Sequence, residues 1–445
     1  MGLPGRLVTG WTNWILRLRY RGGRALPRRL MATAVLSAGF LFSQETPPPE
    51  PDLAPSKLPT ATEIDSMLRT LSDISGFQIR KQLPFQLVTR AEVNKFLKDQ
   101  IRRSVKPEEL RAEEATLRKF GFVPPDFDLK KTTIDLLTEQ AAAFYDFHRK
   151  KLFISDWATQ NMREVALVHE LAHALADQNF PIRKFLGKGS EDSEQSLARE
   201  TVVEGQASWL MIEYGARQSG RTLKDPRTAA ELLKDQPDGG DGDSAYPVFS
   251  KAPLYIRRTL MFPYEEGEKF QQAVFLKEGK AAFSRVFDSP PASTAQVIHP
   301  DRYFAKIVPT SPELPKPIRH AKTFVGGSVG ELDQRILLQQ YLDSGSADDL
   351  APRLKGSSYR IDEIKPDRQM LVYASEWEDE KAASQYFSAY QRILRGKWKQ
   401  VEITAQSDSQ FSGKCEDGYF SVVLKGNRVL SSEGFASPVQ AKPGA

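Results

Sequence analysis

Between residues 161 and 178 the chain is apolar on nearly every side, with Val165, Leu167, Val168, Leu171, Ala172, Leu175 and Ala176 at helical spacing. A helix this apolar belongs in an interior. Asn161 stands three residues before Glu164, the spacing of a capping box, and Pro181 lies just past the end. A second helix is predicted over residues 193 to 217, with Leu197, Val203, Leu210 and Met211 among its buried positions. Upstream, the segments around Leu68 and Leu71, 91 to 101 and 108 to 120 alternate amphipathic spacing with proline breaks. Residues 151 to 155, KLFIS, read as a short strand at a sheet edge. Near the other end, 369 to 377, 380 to 394, 400 to 405 and 419 to 430 read as strand, helix, strand and hairpin, a small α+β unit. The fold class expected is therefore α+β, a helix-rich domain followed by a smaller C-terminal α+β unit.

Composition bounds the picture without deciding it. The 445 residues, 40% hydrophobic and 27% charged, suffice for two or three cored domains and exclude a disordered or collagen-like chain. A net charge of +5 suggests an acidic partner until it is located. Residues 1 to 44 hold seven Arg and no acid, so the rest carries 55 Lys and Arg against 57 Asp and Glu. The basic character thus belongs to the leader, and nucleic acid is not an expected partner. Arg28 and Arg29 precede an apolar stretch from 30 to 42, short for a spanning helix and suited to an export signal. The alternative is an uncleaved anchor in contact with the membrane. The single cysteine, Cys415, rules out an intramolecular disulfide or a thiolate cluster, and export without disulfides suits a bacterial periplasm or cell surface. A Pro-rich linker follows at 45 to 60. Pro309, Pro312, Pro315 and Pro317 mark a second break, and the Gly/Asp-rich stretch from 235 to 253 reads as a solvated loop without EF-hand spacing. The expected organisation is leader 1–44, linker 45–60, main domain 61–320, C-terminal unit 321–437 and tail 438–445. Nothing in the pattern sets an oligomeric state.

The apolar helix carries His169-Glu170-Leu171-Ala172-His173. Histidines four apart project from one helix face and can share a metal ion, and the intervening Glu170 can reach a water bound to it. Two histidines and a glutamate have no stability reason to sit in a buried helix, since each polar group needs a partner there or costs about 1–3 kcal/mol. Glu170 to His173 is also the E-x-x-H of di-iron bundles, which need a second such element that this chain lacks. A third ligand is expected on the second helix, where Glu200 and Glu204 share a face. Gly205 favours Glu204, because a residue without a side chain lets this helix approach the first. Asp177, one turn past His173, and Glu200 are candidates for orienting an imidazole from behind.

H-E-L-A-H-A-L followed by E-G-x-A-S resembles the gluzincin metallopeptidases, in particular the N-E-G-F-A element of the aminopeptidase N family. That resemblance implies one Zn²⁺ held by His169, His173 and Glu204, with Glu170 as general base. More of the chain, including Phe144-Tyr145-Asp146, F-P-Y at 262 to 264 and P-P-A-S-T-A-Q-V-I-H-P at 290 to 300, is similar to a group of poorly characterised exported bacterial H-E-x-x-H proteins. The function expected is a zinc metallopeptidase hydrolysing peptide bonds of a peptide or protein outside the cytoplasm. Its rivals are a module whose metal only staples two helices and an amidase acting on cell-wall peptides. Amide hydrolysis also calls for a donor to the developing oxyanion. His299 is the candidate among the remaining histidines, His148 and His320 looking solvated, and Tyr264 is the competitor.

Overall fold

The computed structural model describes residues 59–93, 95–96, 107–140, 143–156, 160–188, 192–234, 247–365 and 368–438. The leader, nearly all of the Pro-rich linker and the last seven residues lie outside that set. Among the described residues no helix is long and apolar enough to cross a membrane. The architecture is α+β.

Helix α1 (Ala61–Ser75) opens the fold, closed at its start by a capping box between Thr60 and Glu63. Strand β1 (Phe85–Val88), helices α2 (Pro107–Phe120) and α3 (Leu129–Gln140), and strands β2 (Ala143–Asp146) and β3 (Lys151–Ser155) follow. The three strands form a sheet in the order β1-β3-β2, β3 running parallel to β1 and antiparallel to β2. The KLFIS strand is therefore the centre of its sheet and not an edge, which accounts for four of its five residues being buried. Helix α4 (Gln160–Asn179) packs against β2, β3 and α1. It begins one residue before Asn161, whose side chain lies outside the described set.

Helix α5 (Ser193–Gln218) packs between α4 and a third long helix, α6 (Leu254–Glu278). The F-P-Y triplet lies inside α6, with Pro263 at an interior position of the helix. The contact that fixes these two helices is between glycines. A Cβ on Gly205 would stand 2.2 Å from the carbonyl carbon of Gly267, and one on Gly267 2.7 Å from the Cα of Gly205. Gly205 thus admits α6, and not α4 as the sequence suggested. The stretch after α5 is also not all loop. Residues 235–246 lie outside the described set, but Pro247–Lys251 is a short helix.

The C-terminal sheet has seven strands in the order β4-β5-β6-β10-β9-β8-β7, every neighbouring pair antiparallel. They are β4 (Lys322–Gly327), β5 (Leu354–Lys365), β6 (Arg368–Trp377), β7 (Val401–Gln406), β8 (Gln410–Cys415), β9 (Gly418–Lys425) and β10 (Arg428–Phe435). Two further helices pack with this unit, α7 (Glu331–Tyr341) and α8 (Glu380–Lys397). Helix α2, from the other end of the chain, is built into the same core. Phe120 stands edge-on to Tyr359 and Tyr373 at 5.3 Å each, and Lys119 pairs with Asp417 at 2.7 Å.

A second tie joins the start of α5 to the C-terminal unit. The buried Glu194 carboxylate accepts from the backbone N–H of Thr294 at 3.0 Å and from its hydroxyl, and it lies against Gly330, where a Cβ would come within 1.9 Å of it. Burial pushes Glu194 up to about 8 and the Asp333 charge adds to this, while the Thr294 bonds pull the other way. A carboxyl raised above its unfolded value costs stability once pH exceeds that value, and the cost grows until the folded pKa is passed.

Two outcomes follow from this packing. In denaturant titrations Gly205→Ala loses about 2–3 kcal/mol or more, because the obstacle is backbone, whereas Gly215→Ala on the same helix, with open space around it, gains up to about 1 kcal/mol. Equal effects at the two sites would contradict the glycine contact. In addition, wild-type stability relative to Glu194→Gln falls as pH rises from about 4.5 to about 8, and a constant difference across that window would show that Glu194 does not titrate there.

Candidate metal centre

Helix α4 places His169 and His173 one turn apart on the side that meets α5, and α5 presents Glu204 to both. The Glu204 Oε2 atom lies 3.3 Å from His169 Nε2 and 3.2 Å from His173 Nε2. The ligand atoms of all three lie within 4.8 Å of one another, the one such group among the described residues. All three side chains are buried.

The spacing fits a shared cation better than a pair of hydrogen bonds. Charge-assisted N–H···O bonds close to about 2.7–2.9 Å, and these contacts are longer. Donors bound tetrahedrally at about 2.0–2.1 Å from one ion stand roughly 3.4 Å apart, close to what is seen. The charge state agrees. Burial depresses His169 to about 4, with Glu204 opposing the shift, so the imidazole is neutral at physiological pH. Burial alone would raise Glu204, but His173 and His169 hold it down to about 2. A neutral imidazole at His169 and an ionised Glu204 are forms that bind a divalent cation.

Glu170, between the two histidines, is fully buried, and its Oε2 accepts from the backbone N–H of Tyr145 at 2.8 Å. Tyr264 comes to the same place from α6. Its ring centroid lies 6.2 Å from that of His169, and its buried hydroxyl makes no well-formed hydrogen bond. Burial, then the charges of Glu204 and Glu200, push this phenol well above its ordinary range. Tyr264 is therefore a protonated donor facing the ligands. Glu200 is buried one turn before Glu204, near enough for its charge to act on Tyr264.

His299 is held elsewhere. Its Nε2 stands 2.7 Å from Glu331 Oε1, in a cluster that also contains Arg302 and Arg335. No described contact joins it to the triad. A histidine in an apolar setting looks the same in sequence whether it faces a metal or an ion-pair partner, so spacing had no means of separating the two. Asp177 is neither behind an imidazole nor solvated: it accepts from the Tyr145 hydroxyl at 3.0 Å, from Lys150 and from the Ile182 backbone N–H. Tyr145 stood in the sequence only as part of a resemblance, and its link to Asp177 spans 32 positions that no local periodicity reports. His148 and His320 are exposed, as expected.

Titration with zinc separates the two carboxylates of α5. Glu204→Ala loses tight binding and Glu200→Ala retains it; the reverse result would exchange their roles.

Residues 126–218, less than a quarter of the chain, match the family model Peptidase_M78, described as the IrrE N-terminal-like domain. The matched stretch runs from just before α3 to the end of α5, and so holds both histidines, Glu170 and Glu204, while Tyr264 falls beyond it. No curated protein and no solved structure matches the chain. The match supports a zincin-like metallopeptidase domain over these residues.

Proposed function

We propose that this chain is a zinc-dependent peptidase that hydrolyses peptide bonds outside the cytoplasm. One observation carries the reading: two imidazoles and one carboxylate converge in a buried place with their ligand atoms within 4.8 Å of one another, the spacing of donors around a single cation, and a second glutamate stands beside them. A zinc ion held by His169, His173 and Glu204 would supply a water of lowered pKa and polarise the scissile carbonyl.

The chain's own groups do the rest. Glu170 follows His169 directly, so its carboxylate takes the proton of the attacking water and delivers it to the leaving amine. The Tyr264 hydroxyl, buried beside the ligands, donates to the carbonyl oxygen as negative charge develops there. A metal that only stapled α4 to α5 would leave Glu170 and Tyr264 without a task. The acid-free, Arg-bearing leader followed by an apolar stretch supports action on peptides or proteins beyond the membrane.

Purified protein holds close to one zinc per chain, and Glu170→Gln keeps that zinc while losing turnover of labelled casein by about 10²- to 10⁴-fold. Tyr264→Phe lowers kcat by about 10²- to 10³-fold with zinc retained, and His299→Ala leaves kcat unchanged. Full activity in Glu170→Gln would remove the general base and the peptidase reading with it. A kcat that falls in His299→Ala but not in Tyr264→Phe would return the donor's role to His299.

A further inference from the structure

The β2–β3 hairpin does more than flank α4. Glu170 and Asp177 are seven residues apart, two helical turns, and so lie on one face of that helix. Tyr145 touches both: its backbone N–H donates to Glu170 Oε2 at 2.8 Å, and its hydroxyl donates to Asp177 Oδ2 at 3.0 Å. The same Asp177 oxygen receives Lys150 from the hairpin turn, whose other residues are tied down by Asp146 accepting from the backbone N–H groups of His148 and Arg149. Phe147 packs edge-on against Tyr145 at 5.0 Å and against the His173 ring at 5.8 Å. The hairpin is thus clamped along the face of α4 that carries His173, and it supplies a backbone donor to Glu170.

We propose that Tyr145 and Asp177 form a positioning pair for the general base: the side-chain bond between them fixes the height of β2 over α4, and that height sets the backbone N–H that holds one oxygen of Glu170 and so aims the other. Neither residue touches substrate. A carboxylate on two side-chain torsions sweeps a wide arc, and general-base catalysis requires the accepting oxygen within hydrogen-bond reach of the proton it removes. Tyr145 is suited to the task. It is buried, and burial together with Asp177 keeps its hydroxyl protonated, so it acts as a permanent donor. The inference rests on the peptidase reading for its consequence in turnover, but not for the clamp itself.

The test uses the full-length zinc-loaded chain with labelled casein as the probe, together with hydrogen exchange at the amide of residue 145. Tyr145→Phe and Asp177→Ala should each lower kcat by about tenfold, about the rate equivalent of one hydrogen bond, with KM and zinc content unchanged. Asp177→Asn keeps an acceptor for the tyrosine hydroxyl and should restore most of the loss. Lys150→Met removes the ion pair but leaves the Tyr145–Asp177 bond, so it should lower kcat less than Tyr145→Phe does, and a larger loss would overturn the proposal. In Tyr145→Phe the amide of residue 145 should exchange about tenfold faster, as it should in Glu170→Ala. Wild-type kcat in both Tyr145→Phe and Asp177→Ala would overturn the proposal, as would a loss of turnover matched by loss of zinc. If wild-type protein turns over no casein, the peptidase reading fails separately, and an exchange rate unchanged by Tyr145→Phe would then overturn the clamp.

Discussion

A carboxylate buried against two imidazoles is the interaction on which this structure depends. Glu204 is fully buried and ionised, and its oxygen faces His169 and His173 at distances too long for strong hydrogen bonds. Removing an ionised carboxylate from water without compensation is among the costliest steps a fold can take. A divalent cation would compensate for it, and binding that cation would become part of the stability of the helix pair that supplies the ligands. The burial of α4 makes this demand sharper, because bulk solvent does not reach the charge.

The packing around α5 answers to that demand on two sides. Toward α4 the helix shows Glu200 and Glu204. Toward α6 it shows Gly205, and Gly267 lets the two backbones nearly touch. Gly267 is three residues from Tyr264, so the same close approach that seats α6 brings the tyrosine to His169. A single methyl group at Gly205 would push Tyr264 away from the ligands, and this is how a residue with no functional group comes to matter to the chemistry.

The metal helix, its two histidines, Glu170 and the carboxylate of α5 were legible in the sequence because they are local: a 3.6-residue period, an i, i+4 pair and an E-G element on a second periodic stretch. What was not legible depends on contacts between distant segments. Helix α6, 25 residues long with Pro263 inside it, went unread, since a proline is tolerated within a helix only where packing compensates for the lost backbone donor. Asp177 was read as a partner of an imidazole because Tyr145 and Lys150, which hold it, reach it from a hairpin. His299 and Tyr264 were equally plausible donors in sequence, and tertiary placement alone separates them. Strands β4 and β5 lacked a clear alternating pattern, and the building of α2 into the C-terminal core leaves no trace in either segment by itself.

Helix α2 and the Glu194 contacts tie the C-terminal sheet to the elements that carry the ligands, so the metal site sits on a scaffold larger than the stretch that resembles a known family. The claim at the centre of this account is that the buried triad is a zinc site. Zinc-edge X-ray absorption on the purified full-length protein addresses it most directly. The account predicts stoichiometric zinc with two imidazole nitrogens and a carboxylate oxygen at about 2.0–2.2 Å, and a protein that holds no zinc, or holds it without imidazole ligands, would contradict it.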